Sequence, residues 1–399
     1  DSMITAVDFA ARQDAALATA DALGLGLLAI CSPGSCLGIS GSAQGYMRFL
    51  SGWDAYETPS LLVLRRGSRP WLLVTSPTVA KMAAQSLAGM DIEWADPDRF
   101  AAAILPRLRD GAPKRIGLCG WEEMPAGLWP SVAAGLEDIE CVPVADALAR
   151  LRFVKDAAQR EILTEGAAIC DAMFARLQRT PVVGRSGFDI KSEVEQVARE
   201  AGCERVNSWL TVGRGIDYSR YFHPETQQVA QRGDLLMYGM QLVCRGMWCH
   251  AVRTWQVGAL DDRRAALQDM AVSLQRQVVE EMRPGADLRR IVRDAYGRAR
   301  SVVEAAGSDD VTIMRLGHGL GYSYAEPLVT DAFPRSFYDP ATDAAGGAPI
   351  LLEEGMVFEI HPMFMFAEGG AGVGDMVIVG KDGGTFMTAS PRALGLLQG

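Results

Sequence analysis

The stretch from Leu316 to Pro327, LGHGLGYSYAEP, narrows the folds open to this chain more than any other. It carries His318, one of four histidines; the others are His223, His250 and His361. Each sits at the end of an apolar, strand-like run or beside one. Scattered surface histidines have no reason to sort themselves that way. A sheet domain with a histidine-lined site is therefore the first expectation.

The chain before that region reads differently. Residues 4–24 have helical spacing of Ala, Leu and Phe, and Leu25–Ala29 is a short apolar strand. Strands are expected at Ser60–Arg65, Pro70–Thr75, Ile92–Trp94, Arg115–Cys119 and Cys141–Val144, with helices near 78–88, 98–109 and 124–135 between them. Strands alternating with helices of that length indicate an α/β layer over residues 1–150. Leu151–Ala175 reads as one long amphipathic helix and opens a second domain, 151–399. A helix at 186–201 follows. Then come strands at Ser208–Val212, Leu235–Val243 and Gly246–Val257, helices at 262–282 and 286–306, and strands at 311–315, 355–366 and 374–380. Strand runs around a helical pair suggest an α+β sheet domain. The fold class is thus α/β plus α+β.

Composition excludes several functions. The net charge of −10 and the absence of any Lys/Arg-rich run argue against a nucleic-acid partner. No apolar run approaches the ~18 residues of a membrane span, so no membrane association is expected. The N-terminal residues lack a basic segment followed by an apolar one, so a cytoplasmic location is expected. The eight cysteines form no CxxC pair and read as reduced, mostly buried thiols. Cys249 stands out because it adjoins His250. No glycine-rich phosphate loop is present, since Gly24, Gly26 and Gly38 lack a strand-loop-helix context.

The second domain resembles the creatinase/aminopeptidase P superfamily, whose catalytic half has the pita-bread fold. The matching pieces occur in family order: LRFVKDAAQREIL, FHPETQQVAQRGDLL, GMWCHAVRTWQVG, GHGLGY, LEEGMVFEIHPMFMF and GVGDMVIVG. The first domain, chiefly through YMRFLSGW, resembles the ribonuclease-H-like domain that precedes the catalytic half in creatinase. The resemblance also implies a homodimer and a small-molecule substrate.

Metallopeptidases of that superfamily hold two metals with two Asp, one His and two Glu. Aligned on this sequence, the Asp positions fall on Gly239 and His250, and the His is kept as His318. The Glu positions fall on His361 and on or near Gly374, and a second peptidase histidine becomes Ala325. An ordinary dinuclear peptidase is not expected. The expected enzyme is a non-peptidase that hydrolyses a C–N bond in a small polar molecule, with a rebuilt mononuclear site.

His250, His318 and His361 would hold one divalent transition metal, with Zn, Fe, Cu, Ni and Mn undistinguished; three imidazoles with an open position suit several of these ions. His223 aligns with the superfamily's proton-shuttle histidine, and an imidazole titrating near pH ~6.5 suits that task. Glu359 would share a strand face with His361 and could orient it or act as a base. Glu326 is the other carboxylate near the loop. Tyr221, Trp53 and Tyr56 are candidate substrate contacts, the last two through the resemblance. Arg253 is expected in a structural contact.

Three alternatives stay open: a metal-free creatinase-like hydrolase, a metal-dependent lyase or oxidative enzyme, and an inactive binding protein. Creatine itself is a poor candidate, because creatinase's guanidinium-binding glutamates fall on Val252 and His361.

Overall fold

The computed structural model describes residues 7–33, 43–54, 58–216, 227–313, 316–324 and 349–398. Tyr56, Tyr221, His223 and Glu326 lie outside the described residues. Two compact units divide the chain, with the break between Arg152 and Phe153 and with Tyr322 to Tyr324 belonging to the first unit.

In the first unit α1 (Phe9–Ala22), β1 (Leu28–Ser32), α2 (Ala43–Ser51), β2 (Ser60–Leu64), β3 (Trp71–Val74) and α3 (Pro77–Ser86) come first. They are followed by β4 (Asp91–Trp94), α4 (Phe100–Arg109), β5 (Arg115–Cys119), α5 (Trp129–Ala134), β6 (Glu140–Pro143) and α6 (Ala145–Phe153). The strands make one mixed sheet in the order β4-β3-β2-β1-β5-β6. Central strands β1, β2 and β3 are buried at every position, which is why they read as continuous apolar runs. Phe100, Ile104 and Leu108 recur every four residues along α4 and pack on Leu27, Ala29, Leu61 and Leu73. Each such side chain contributes roughly 1.5–3 kcal/mol by leaving water.

The second unit holds α7 (Ala157–Arg179), α8 (Gly187–Glu200), β7 (Arg205–Gly213), β8 (Leu235–Cys244), β9 (Met247–Val257), α9 (Asp262–Glu281) and α10 (Leu288–Ala306). Short strands complete it: β10 (Thr312–Ile313), β11 (Gly317–Gly319), β12 (Val357–Ile360), β13 (Met363–Phe366), β14 (Gly369–Gly372), β15 (Asp375–Val379), β16 (Gly384–Phe386) and β17 (Gly395–Leu397). Three sheets form, β17-β9-β8-β7, β11-β12-β15-β16 and β10-β13-β14. Strands β8 and β9 join through Arg245 and Gly246, both at positive φ, the two-residue turn whose twist matches that of its strands.

Two expected elements are split, each for a local reason. The helix expected over Leu151–Ala175 breaks before α7. Asp156 caps α7 by accepting from the Gln159 amide, and the Gln159 side chain returns a bond to the Asp156 amide. The strand expected over 355–366 breaks at His361-Pro362, because Pro362 has no N–H to continue a ladder. Helix α2 and strands β11, β14, β16 and β17 were not expected from the sequence. No helix among the described residues is long and apolar enough to cross a membrane.

Candidate metal centre

Four side chains from distant parts of the second unit meet at the seam between two sheets. His250 lies on β9, His318 on β11, Glu359 on β12, and His361 one residue past β12. The β11–β12 register sets His318 opposite Glu359. Glu359 and His361 are two residues apart, so an extended backbone sends both to one side. Strand β9 is brought to this seam by a bridge between Val252 and Gly374, with hydrogen bonds in both directions at 3.0 and 2.9 Å. All four side chains are at most 3% exposed, and Glu359 is 0% exposed.

Three imidazole nitrogens converge on one carboxylate oxygen. Glu359 Oε2 lies 2.9 Å from His250 Nδ1, 3.0 Å from His361 Nε2 and 3.4 Å from His318 Nε2. His318 Nδ1 is 2.9 Å from the Gly319 carbonyl oxygen, which can only accept, so Nδ1 carries the proton. In the neutral ring Nε2 then turns a lone pair toward a carboxylate oxygen. Two acceptors at that distance call for a cation between them, a proton or a metal ion. The His250 and His318 rings stack at 16°, and the Trp209 ring meets His250 edge-on at 5.4 Å. Trp209 faces Gly239 across the β7–β8 pair, so its bulk occupies the sheet face to which a longer residue 239 would contribute.

The donor set fits one metal ion. His250, His318 and Glu359 each offer one donor atom, all within 4.8 Å of one another. Ligand bonds of about 2.0–2.2 Å in a tetrahedron put neighbouring donors roughly 3.3–3.6 Å apart; the His318 spacing to Glu359 Oε2, 3.4 Å, falls in that range, and those of His250 and His361, 2.9 and 3.0 Å, are shorter. His361 touches the same oxygen.

A second ion with the superfamily's ligands does not fit, because Gly239 and Gly374 carry no donor side chain. Gly374 is also tightly enclosed. A Cβ there would fall 2.4 Å from Glu359 Oε1 and 3.0 Å from both the His361 and Val252 Cβ atoms. The carboxylate of Glu359 thus fills space into which a side chain at 374 would extend.

Around the cluster runs a polar frame centred on Arg253, the residue expected in a structural contact. The Arg253 guanidinium donates to the carbonyls of Val252, Gly374, Ser390 and Pro391 and to Asp375 Oδ1 at 2.6 Å. Asp375 also accepts from Gln275, Thr388 and Arg392. The Gln275 amide bonds the Ile360 carbonyl as well, beside Glu359. Buried charges of this kind persist because they are paired and hydrogen-bonded on several sides.

The sequence profile of metallopeptidase family M24 matches residues 161–381. The chain belongs to metallopeptidase family M24. Among M24-type relatives, the probable dipeptidase PepE of Mycobacterium tuberculosis is 27% identical over 391 residues, 95% of this chain and 94% of that one. The creatinase of a Bacillus species is 23% identical over 307 residues, 74% of this chain and 71% of that one. The crystal structure of dipeptidase PepE from Mycobacterium ulcerans matches with a TM-score of 0.77 at 24% identity, covering 98% of each chain. The second unit therefore has the pita-bread fold of M24, preceded by the N-terminal domain.

The structure brings together His250, His318, His361 and Glu359. Trp53 sits in the first unit, 5% exposed, with its indole N–H donating to Ser60 Oγ at 3.1 Å. Arg253 makes the structural contact expected of it, whereas Trp209 and Asp375 were missed as parts of the site's surroundings. Gly374 carried a signal in the sequence, as a glycine at a position where the resemblance calls for a ligand.

Proposed function

We propose that this M24 chain is a hydrolase acting on a C–N bond in a small polar molecule, with one divalent metal ion held by His250, His318 and Glu359. The carrying observation is the convergence of three buried imidazole nitrogens on the single oxygen Glu359 Oε2. Two histidines and a glutamate are a donor set of known hydrolytic zinc sites. A metal there supplies Lewis acidity and lowers the pKa of a bound water.

The chain's own residues divide the remaining work. The Gly319 carbonyl fixes the His318 tautomer, and Trp209 limits the tilt of the His250 ring. His361, 3.0 Å from Glu359 Oε2, is placed to hold a proton beside that carboxylate or to serve as a further ligand. His223 carries the proton from water to the departing nitrogen, with Glu326, Tyr221, Trp53 and Tyr56 as candidate contributors on the substrate's side. The partner is a small molecule and the active form a homodimer.

The relatives include a named dipeptidase and a named creatinase, and both kinds of substrate contain a hydrolysable C–N bond. Glycine at 239 and 374 favours the non-peptide side, because it removes the donors of a two-ion peptidase site. The distances of 2.9 and 3.0 Å are also ordinary hydrogen-bond lengths and support a metal-free proton-sharing cluster as the second reading.

Elemental analysis of protein purified without added metal separates the two. The expected result is about one equivalent of transition metal per chain and none in His318→Ala. Negligible metal in both overturns the metal reading. Parallel assays on dipeptides, guanidino compounds and ring amides should show turnover of a non-peptide; turnover of dipeptides alone overturns the substrate assignment.

A further inference from the structure

Cysteines that are scattered in the sequence gather in the second unit on the other side of β9. Cys170 lies on α7, Cys203 in the turn after α8, Cys244 at the end of β8, and Cys249 on β9. Cys203 Sγ is 3.2 Å from Cys244 Sγ. Cys249 contacts Cys244 from within the hairpin. Cys203 is partly exposed, whereas Cys244 is 5% exposed.

We propose that Cys203 and Cys244 form a reversible dithiol–disulfide site that reacts with small-molecule disulfides. Closing the sulfurs to ~2.05 Å is a short movement from their present contact. The Glu204 amide already bonds the Val243 carbonyl at 2.8 Å, so the two backbones run side by side at this point. Cys249 is the poorer partner. In the β8–β9 register it faces Leu242, and Cys244 faces Met247. Cys244 and Cys249 are therefore diagonal neighbours, for which Cα separations of about 7–8 Å are typical, beyond ordinary disulfide reach.

Chemistry and access set the order of events. Cys203, the more accessible partner, attacks the disulfide as its thiolate, forms a mixed disulfide and releases one small thiol. Cys244 then loses its proton and attacks the Cys203 sulfur, forming the Cys203–Cys244 bond and releasing the second thiol. Two protein thiols are oxidised and one small disulfide is reduced to two thiols. The contact with Cys244 and burial hold the Cys203 thiol protonated through neutral pH, so the reaction is slow at pH ~7 and quickens as the pH rises. Glu204 and Glu165 stand close to Cys203, the latter ion-paired with Arg245.

The test treats the full chain with cystamine at pH ~8, traps remaining thiols, and maps peptides without reduction. The expected product is a Cys203–Cys244 cross-link free of retained cysteamine and reversed by dithiothreitol. The closed loop spans 41 residues. The link should raise the melting temperature by roughly 5 °C or more. Cys244→Ser should keep a cysteamine adduct on Cys203, and Cys249→Ser should form the cross-link as the parent does. A stable adduct on Cys203 in the parent chain overturns the proposal. So does a cross-link through Cys170 or Cys249, or an unreacted Cys203.

Discussion

Cys249 and His250 are neighbours on one strand, yet their side chains serve opposite sides of it. The His250 side meets residues from β11, β12 and the segment after β12, and is closed by hydrogen bonds and charge. The Cys249 side meets α7 and the end of its own hairpin, and is closed by sulfur and close packing. At Gly166 of α7 a Cβ would lie 2.1 Å from Cys249 Sγ. The thiol side is thus specified by shape. The imidazole side is specified by polar groups that are worth having only if all are present. Mutations should therefore couple on the thiol side only where the two side chains touch, and through the whole network on the imidazole side.

The largest expected effect is on the polar frame. Asp375→Ala leaves the buried Arg253 without its carboxylate and should cost about 3–5 kcal/mol of stability in chemical denaturation. A cost below about 1 kcal/mol would mean that the backbone carbonyls alone carry Arg253. Next comes Glu359→Gln, which keeps the shape but removes the charge shared by three imidazoles. Metal affinity, measured by competition with a chelator, should fall by about 100-fold. An unchanged affinity would assign the ion to the histidines alone.

On the thiol side, Gly166→Ala sets a helix-propensity gain of about 1 kcal/mol against an overlap with Cys249 that costs about 1–3 kcal/mol. The overlap should win, and Cys249→Ala should rescue most of the loss by removing the sulfur. Failure of the rescue would place the strain in the backbone. The smallest effect belongs to Trp209→Phe, which shortens the edge contact with His250 and should change stability by roughly 1 kcal/mol or less.

Most of the architecture was legible because it rests on periodicity and order. Strands β1, β2 and β3 follow apolar runs that the sheet buries. His250, His318 and His361 were legible beside apolar strand-like runs, and lie within β9, within β11 and one residue past β12. The capping box of α7 was also present in the residues, since Asp156 and Gln159 stand at cap spacing, but the apolar stripe of the longer run masked it. The thiol niche was not legible. Cys170, Cys203, Cys244 and Cys249 share no spacing rule, and only the packing of α7 on β9 and the turn before β7 unites them. The crowding of Gly374 by Glu359 was equally hidden, because it depends on the register of β12 against β15.

The single carboxylate at the imidazole cluster has a consequence for charge. In the superfamily's two-ion arrangement, four carboxylates balance two divalent cations. Here three imidazoles, neutral when they ligate a metal, and Glu359 would together bring one negative charge to a buried site. A divalent ion bound among them leaves a net positive centre in a medium that screens poorly. Such a centre favours ligands that arrive with a negative charge, whether a carboxylate on the substrate or a small inhibitory anion such as azide.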